Sequence, residues 1–182
     1  MQIEDSEILE KFNNPQTQEL GFKLLLNKYQ QKIYWHIRRI VIEHEDADDV
    51  VQDVFIKVWK NLAAFRQDSQ LYTWLYRIAT NESITFLNKK KTKFNSSFEE
   101  LSEKLSESLN DDNYFTGDQI QKKLQKALLT LPEKQRLVFN MKYYDDLKFQ
   151  EISDILGTSV GALKASYHLA VKKIEQFLLA SD

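Results

Sequence analysis

Apolar residues in the first half of the chain recur at intervals of three and four, which is the period of an amphipathic α-helix. One such stripe runs through 22–40 and a second through 47–62. A third runs through 71–87, and a short one near 6–12 precedes them all. We therefore predict a small helical bundle in this half of the chain.

Polar residues mark where these helices start and stop. Asp46 is a predicted N-cap of the second helix, and Asp49 falls in its first turn, where a carboxylate favours the helix dipole. Turn-forming residues at 67–69 separate the second helix from the third. The third helix runs into a basic end at 89–91.

The segment 94–117 differs from both of its flanks. It is rich in Ser, Asn and acidic residues, and its apolar residues give no sustained period. We predict a flexible acidic linker here, between a helical domain at 1–93 and another at 118–182. A short helix at 99–109 stays open as an alternative within the linker.

The last part of the chain predicts four more helices. The first ends at Leu131, and Pro132 suits the opening turn of the next, with Thr130 or Leu131 as its cap. A short amphipathic stretch at 148–156 is followed by Gly157, which permits a tight turn, and Ser159 is placed to cap the final helix. The predicted fold is all-α, with two small helical domains and a four-helix helix-turn-helix domain as the second.

Residues 148–177 have the pattern of a helix-turn-helix, whose second helix enters the major groove of duplex DNA. Gly161 and Ala162 are small enough for a close approach to DNA, and Lys164, Lys172 and Lys173 can meet phosphates. An ordinary helical hairpin is the alternative. The predicted DNA-facing residues are Thr158, Ser159, Gly161, Ala162, Lys164, Ala165, His168 and Lys172.

Composition supports a helical protein and excludes some classes of site. The chain is 42% hydrophobic, with only 4 Gly and 2 Pro, fewer than a turn-rich β-fold needs. It contains 0 Cys, so disulfides and thiolate metal sites are excluded. No apolar run approaches the roughly 18 residues of a membrane span, and the polar start is unlike a secretory signal. We expect a cytoplasmic protein without membrane insertion.

Charge is distributed unevenly. The net charge is only -2, whereas an independent DNA-binding protein usually has a basic excess. The cations are concentrated locally instead, at Lys57, Lys60, Arg66, Arg77, Lys89, Lys90, Lys91 and Lys93.

Two blocks of sequence resemble bacterial sigma factors. LPEKQR at 131–136, FQEISDILG at 149–157 and VGALK at 160–164 are similar to their C-terminal domain. DADDVVQDVFIKVW at 46–59 and TWLYRIATN at 73–81 are similar to their polymerase-binding helix and to the helix that engages melted promoter DNA. The short two-domain layout resembles the extracytoplasmic-function group of the sigma-70 family.

This resemblance implies a sigma factor that directs core RNA polymerase to promoters and assists their opening. It implies that the second domain reads the −35 element as duplex, that the linker spans the two domains, and that an anti-sigma factor is a partner. The implied polymerase-binding residues are Asp48, Asp49, Gln52, Asp53 and Phe55. Those implied for the melted −10 element are Arg66, Asp68, Ser69, Arg77, Asn81, Lys89 and Lys90, with Lys91 as a further phosphate contact.

Some positions depart from the family pattern. Ser166, Leu169 and Val171 stand where members of the family often have Arg, so we expect DNA affinity to depend strongly on the polymerase. With Tyr167, the last two offer apolar contacts to the first domain or to an inhibitor instead. Trp74 lies on the apolar stripe of its helix and is predicted to be a core residue.

Enzymatic function is not expected. His36, His44 and His168 are scattered and lack carboxylates at metal-ligand spacing, and no phosphate-binding Gly-rich loop occurs. We expect no catalytic residues, no metal and no cofactor. The main alternative function is a conventional dimeric helix-turn-helix regulator, and a weaker one is a helical adaptor or inhibitor that binds only protein.

Overall fold

The computed structural model describes residues 3–94, 98–111 and 119–180. Over these residues the secondary structure consists of α-helices and one 3-10 turn, without strands, which confirms the predicted all-α class. The chain divides into two compact units, Met1–Ile84 and Thr85–Asp182. The helices are α1 (Asp5–Asn13), α2 (Gln18–Val41), α3 (His44–Asn61), α4 (Leu71–Phe94), α5 (Phe98–Asp111), α6 (Gln119–Leu129), α7 (Glu133–Tyr143), α8 (Phe149–Leu156) and α9 (Val160–Ala180).

The first unit is built around the inward stripes of α1 to α4. Helix α2 packs against both α1 and α3. The predicted stripes face one core, because burying apolar side chains on one side of each helix removes them from water. Residues with no exposed surface include Ile8, Leu25, Ile33, Ile37, Ile40, Val54, Val58 and Leu75.

The crossing of α1 and α2 depends on Gly21. A Cβ at this position would lie 2.4 Å from the backbone nitrogen of Phe12 and 2.8 Å from its Cα. These are backbone atoms, which do not move aside as a flexible side chain would. The absence of a side chain at Gly21 therefore allows the two helices to approach this closely.

The connection between α2 and α3 is a tight reversal at Ile42. This buried residue has a φ of 72°, which is unusual for a β-branched side chain, and the N–H of Glu43 donates to the carbonyl of Val41. Helix α3 starts directly afterwards, with Glu43 at the N-cap. The predicted N-cap Asp46 was wrong, because this reversal lets the helix begin earlier and leaves Asp46 inside its first turn.

Helix α5 occupies the middle of the predicted linker. Leu101, Leu105 and Leu109 are buried and recur every four residues, and α5 packs against α6. The helix left open at 99–109 is therefore present and longer, and its apolar period was hidden among Ser and acidic residues. Residues 95–97 and 112–117 of the predicted linker lie outside the described residues, and the predicted domain boundaries stay a prediction.

The second unit also contains the four helices α6 to α9. Pro132 is itself the N-cap of α7, and the Thr130 hydroxyl donates to the carbonyl of Ala127 at 2.7 Å instead of capping that helix. The predicted cap at Thr130 or Leu131 was wrong. The two caps around the turn were predicted correctly, since Gly157 has a φ of 64° and the Ser159 hydroxyl accepts from the N–H of Ala162 at 3.3 Å.

Candidate polymerase-binding and DNA-binding surfaces

One side of α9 is exposed and the other forms part of the second unit's core. Leu163, Ala170 and Ile174 are buried. Of the predicted DNA-facing residues, Thr158 is half-buried in the turn before the helix, and the remainder are exposed: Ser159, Gly161, Ala162, Lys164, Ala165, His168 and Lys172. The structure thus brings the predicted set together along one accessible face.

Aromatic contacts between α9 and the neighbouring helices support this face. The ring of Tyr167 stacks on Phe139 with centroids 5.8 Å apart, and it forms a T-shaped pair with Phe149 with centroids 5.9 Å apart. The ammonium group of Lys142 lies 5.8 Å from the centre of the Phe149 ring. These contacts join α9 to α7 and α8 and so fix the direction in which the exposed face points. Tyr167 and Val171 pack against the core of the second unit, whereas Leu169 is 46% exposed.

The outer face of α3 carries the predicted polymerase-binding residues, with one exception. Asp48, Asp49, Gln52 and Asp53 are exposed. Phe55 is only 7% exposed and belongs to the core of the first unit, so its side chain holds α3 in place and offers little surface to a partner. The prediction that Phe55 forms part of the docking surface is therefore corrected.

Ile56 is a residue of this face that the sequence reasoning missed. It is 48% exposed, although it is a large aliphatic side chain. It follows Asp49 by seven residues and Gln52 by four, so all three lie along one side of the helix. That spacing was the available signal, and it was overlooked because Ile56 continues an apolar run.

Polar contacts anchor both ends of α3. Lys57 forms an ion pair with Glu82 of α4. Near the start of the helix, His44 Nε2 lies 3.4 Å from a carboxylate oxygen of Asp48, and His44 Nδ1 lies 2.6 Å from the Tyr34 hydroxyl. Lys57 is therefore engaged within the unit, and the outer face of α3 is dominated by acids.

The predicted −10 residues of the first unit lie in the loop before α4 and on α4 itself. Arg66 and Asp68 are exposed and Ser69 is half-buried. Arg77 and Asn81 are one turn apart, the former half-buried and the latter exposed. Gln67, one of the predicted turn-forming residues, is exposed and has a φ of 58° at the bend of the loop.

The basic end of α4 belongs to the second unit. Lys89 is exposed and Lys90 half-buried. Trp74, nearer the start of the helix, is half-buried and packs on Phe65 with ring centroids 5.2 Å apart, so it serves partly as core and retains some accessible ring.

Two kinds of feature are absent from residues 3–94, 98–111 and 119–180. No helix in these ranges is both long and apolar enough to cross a membrane. In the same ranges no group of three or more His, Asp or Glu side chains is arranged to hold a metal ion.

Two family models match separate parts of the chain. Sigma-70 region 2 matches residues 25–93, and Sigma-70 region 4 matches residues 121–174. These ranges contain the α3 and α4 surfaces and most of the α9 face, in the order that the sequence pattern predicts.

Named relatives are similar over most of their length. The RNA polymerase sigma-H factor of Pseudomonas aeruginosa is 29% identical over 97% of this chain and 95% of its own. The ECF RNA polymerase sigma factor SigW of Bacillus subtilis is 30% identical over 81% of this chain and 83% of its own. The ECF RNA polymerase sigma-E factor of Escherichia coli K12 is 31% identical over 85% of each chain.

Two solved structures share the fold. The sigma factor RpoE, in complex with the anti-sigma factor NepR from Bartonella quintana, superposes with a TM-score of 0.69 at 20% identity, covering 88% of this chain and 98% of that one. CnrH, in complex with the cytosolic domain of CnrY, gives a TM-score of 0.71 at 21% identity, covering 98% and 99%. By the two family-model matches and the relatives at 30% and 31% identity, the chain belongs to the extracytoplasmic-function group of the sigma-70 family, whose members direct RNA polymerase to promoters.

Proposed function

We propose that this sigma factor works through three separate surfaces: the outer face of α3 for core RNA polymerase, the loop before α4 with α4 itself for the melted −10 element, and the exposed face of α9 for the −35 duplex. The observation that carries the proposal is the exposure of most predicted contact residues, on the outer faces of α3 and α9 and in the loop before α4. The chain supplies recognition, and the chemistry of RNA synthesis stays with the polymerase in the cytoplasm.

The α3 face suits a basic protein partner with an apolar patch. Asp49, Gln52 and Asp53 form an acidic stripe that ends at the exposed Ile56. Acidic residues steer a partner of opposite charge and restrict its orientation, while an exposed aliphatic side chain gains free energy when it is buried. Both properties fit a surface that docks on a large protein better than a face that stays solvated. A solvated face gives no reason for an exposed aliphatic side chain such as Ile56.

The loop and α4 suit single-stranded DNA. Unpaired bases need polar side chains for their edges and cations for the phosphates that follow them. Arg66, Asp68 and Ser69 lie together in the loop, and Arg77 and Asn81 follow on α4. The bend at Gln67 turns the loop so that its two flanking side chains reach solvent.

The α9 face suits the major groove of duplex DNA. Gly161, Ala162 and Ala165 leave room for the backbone to approach the base edges, and Lys164 and Lys172 are placed for phosphates. Few side chains on this face can form paired hydrogen bonds with a base. Affinity from this surface alone is therefore modest, and the polymerase-bound first unit supplies the remainder.

An anti-sigma factor is proposed as a second protein partner. In the solved structures named above, RpoE is bound to the anti-sigma factor NepR and CnrH is bound to the cytosolic domain of CnrY. The α3 face and the exposed Leu169 of α9 are surfaces that an inhibitor would cover, since covering them would block polymerase and DNA together.

Binding of core RNA polymerase tests the proposal at the level of residues. We expect Asp49→Ala/Asp53→Ala to weaken core binding by at least tenfold in a competition assay against a labelled sigma factor. Glu10→Ala/Glu19→Ala removes the same charge from exposed positions of the first unit and should bind as the wild type does. Equal affinities for the two variants would contradict the assignment of the α3 face.

A gel-shift experiment separates this function from that of a dimeric regulator. A regulator binds its operator tightly without polymerase and requires a two-fold symmetric site. We expect specific retardation of promoter DNA only when core polymerase is present, lost in Lys164→Ala/Lys172→Ala and retained in the matched control Lys32→Ala/Lys134→Ala.

A further inference from the structure

Helix α5 lies beside a lysine-lined cavity of the second unit. The cavity has a volume of about 690 Å³ and is lined by Lys91 at the end of α4, Lys126 on α6 and Lys173 on α9. Helix α5 contributes the carboxylate-bearing Glu103 to the same wall. Lysines from three different helices thus share the cavity with Glu103 of α5 and with Glu133 of α7.

Docking of α5 rests on its three leucines. Leu101, Leu105 and Leu109 are 4%, 2% and 1% exposed, and they lie on one side of the helix that packs against α6. A helix of 14 residues is marginal by itself in water. Helix α5 is therefore helical because it is docked, and undocking would melt it.

The lysines of the cavity have a second use. Lys91 and Lys173 are residues that the sequence pattern assigns to DNA phosphates, and Lys173 is exposed next to Lys172 on α9. A lysine ammonium that is close to a carboxylate cannot interact fully with a DNA phosphate at the same time. It must lose part of one interaction to gain the other. The acidic helix and DNA are therefore competitors for the same cations.

We propose that α5 is an intramolecular competitor of DNA, which lies beside the cavity lysines in the free protein and must undock before the second unit binds DNA at full strength. This inference rests on the proposed DNA contacts of that unit.

Undocking without any change of charge is the primary test. In Leu101→Ser/Leu105→Ser the apolar contact is lost, and affinity for a labelled random-sequence duplex is measured by fluorescence anisotropy without polymerase. We expect tighter binding than in the wild type. The slope of log affinity against log salt should become more negative by up to about 1.8, since Lys91 and Lys173 would each contribute about 0.9. Leu179→Ser makes the same replacement at a site that is 78% exposed and should bind as the wild type does.

A second pair of variants covers the case in which the leucine variant unfolds, which its thermal melt would reveal. Glu103→Lys reverses one charge at the cavity, and Glu10→Lys reverses one at an exposed position of α1. We expect the gain in DNA affinity from Glu103→Lys to exceed that from Glu10→Lys at least threefold. Lys173→Ala should in addition weaken DNA binding more in the Glu103→Lys background than in the wild type.

The proposal is overturned if a folded Leu101→Ser/Leu105→Ser variant binds DNA no tighter than the wild type, or if Glu103→Lys gains no more than Glu10→Lys. These assays contain no polymerase, so such a result would not contradict the proposed function in transcription. A chain that binds as expected here but gives no promoter-dependent transcription would contradict the proposed function and leave the competition by α5 intact.

Discussion

The Nε2 atom of His36 on α2 lies 2.8 Å from the hydroxyl oxygen of Thr80 on α4, and both side chains are buried. The Thr80 hydroxyl donates its own hydrogen to the carbonyl of Tyr76 at 2.7 Å. It can therefore only accept from His36, which places a proton on Nε2. This bond joins α2 to the helix that carries Arg77 and Asn81, so it fixes the position of the proposed −10 surface.

Replacing Thr80 tests this link. Thr80→Val keeps the shape but leaves the buried Nε2–H without this acceptor, which costs about 1–3 kcal/mol of unfolding free energy. Thr80→Ser keeps the hydroxyl and loses only a methyl group, so it should retain more stability. Urea denaturation of both variants gives the comparison, and a Val variant at least as stable as the Ser variant would contradict the bond.

Gly21→Ala tests the crossing of α1 and α2. The added methyl group meets the backbone of Phe12, so α1 has to move away, and we expect a loss of about 1–3 kcal/mol in the first unit. The thermal transition monitored by the fluorescence of Trp59, which contacts Phe12 and Phe22, should fall accordingly. An unchanged transition would mean that the helices do not approach as closely as described.

Unlike Gly21→Ala, Gly161→Ala is expected to increase the stability of the folded protein. Nothing lies within 4 Å of a Cβ at this position, and Ala is favoured over Gly inside a helix by about 1 kcal/mol. The second unit should gain stability, while affinity for −35 duplex in the polymerase complex should fall by about 1 kcal/mol because the methyl group fills space needed by DNA. Equal promoter affinity for the wild type and the Gly161→Ala variant would contradict the assignment of Gly161 to the DNA-facing surface.

The pH dependence of the first unit follows from Tyr29. Burial, together with the hydrogen bond that its hydroxyl donates to Asp5 at 2.6 Å, raises the pKa of Tyr29 above its ordinary value of 10.0. The folded state thus keeps this proton more firmly than the unfolded state. The stabilisation is complete below the ordinary pKa and is lost as the pH rises above it.

Tyr29→Phe isolates this contribution. Between about pH 7 and about pH 11, the wild type should lose more unfolding free energy than the Phe variant does, because only the wild type carries the titrating hydroxyl. Denaturant melts at the two pH values measure the difference. The same loss in both proteins would show that other groups control the alkaline limit.

Features that depend on local period were predictable from the sequence. The stripes of α2, α3 and α9 recur every three or four residues, and that period alone places Asp49, Gln52 and Lys164 on the outside. Gly157 and Ser159 were predictable for a related reason, since the turn between α8 and α9 requires a left-handed residue and a cap within a few positions.

Features that depend on packing between distant residues were not predictable in this way. The reversal at Ile42 places a β-branched residue at positive φ, which local preference disfavours, and it moved the start of α3 ahead of Asp46. Phe55 and Ile56 are adjacent apolar residues, and only the packing of α3 decides that the first is core and the second is surface. Helix α5 was obscured because composition favoured a linker, whereas α6 provides the apolar contact that makes it fold.

Promoter-dependent transcription by purified core RNA polymerase, with and without this chain, tests the central claim most directly. We expect transcripts from defined start sites only when the chain is present, with strong loss for Asp49→Ala/Asp53→Ala and none for Glu10→Ala/Glu19→Ala. An absence of stimulation on promoters mapped after overexpression of the chain, beside an active control sigma factor, would contradict its role as a sigma factor.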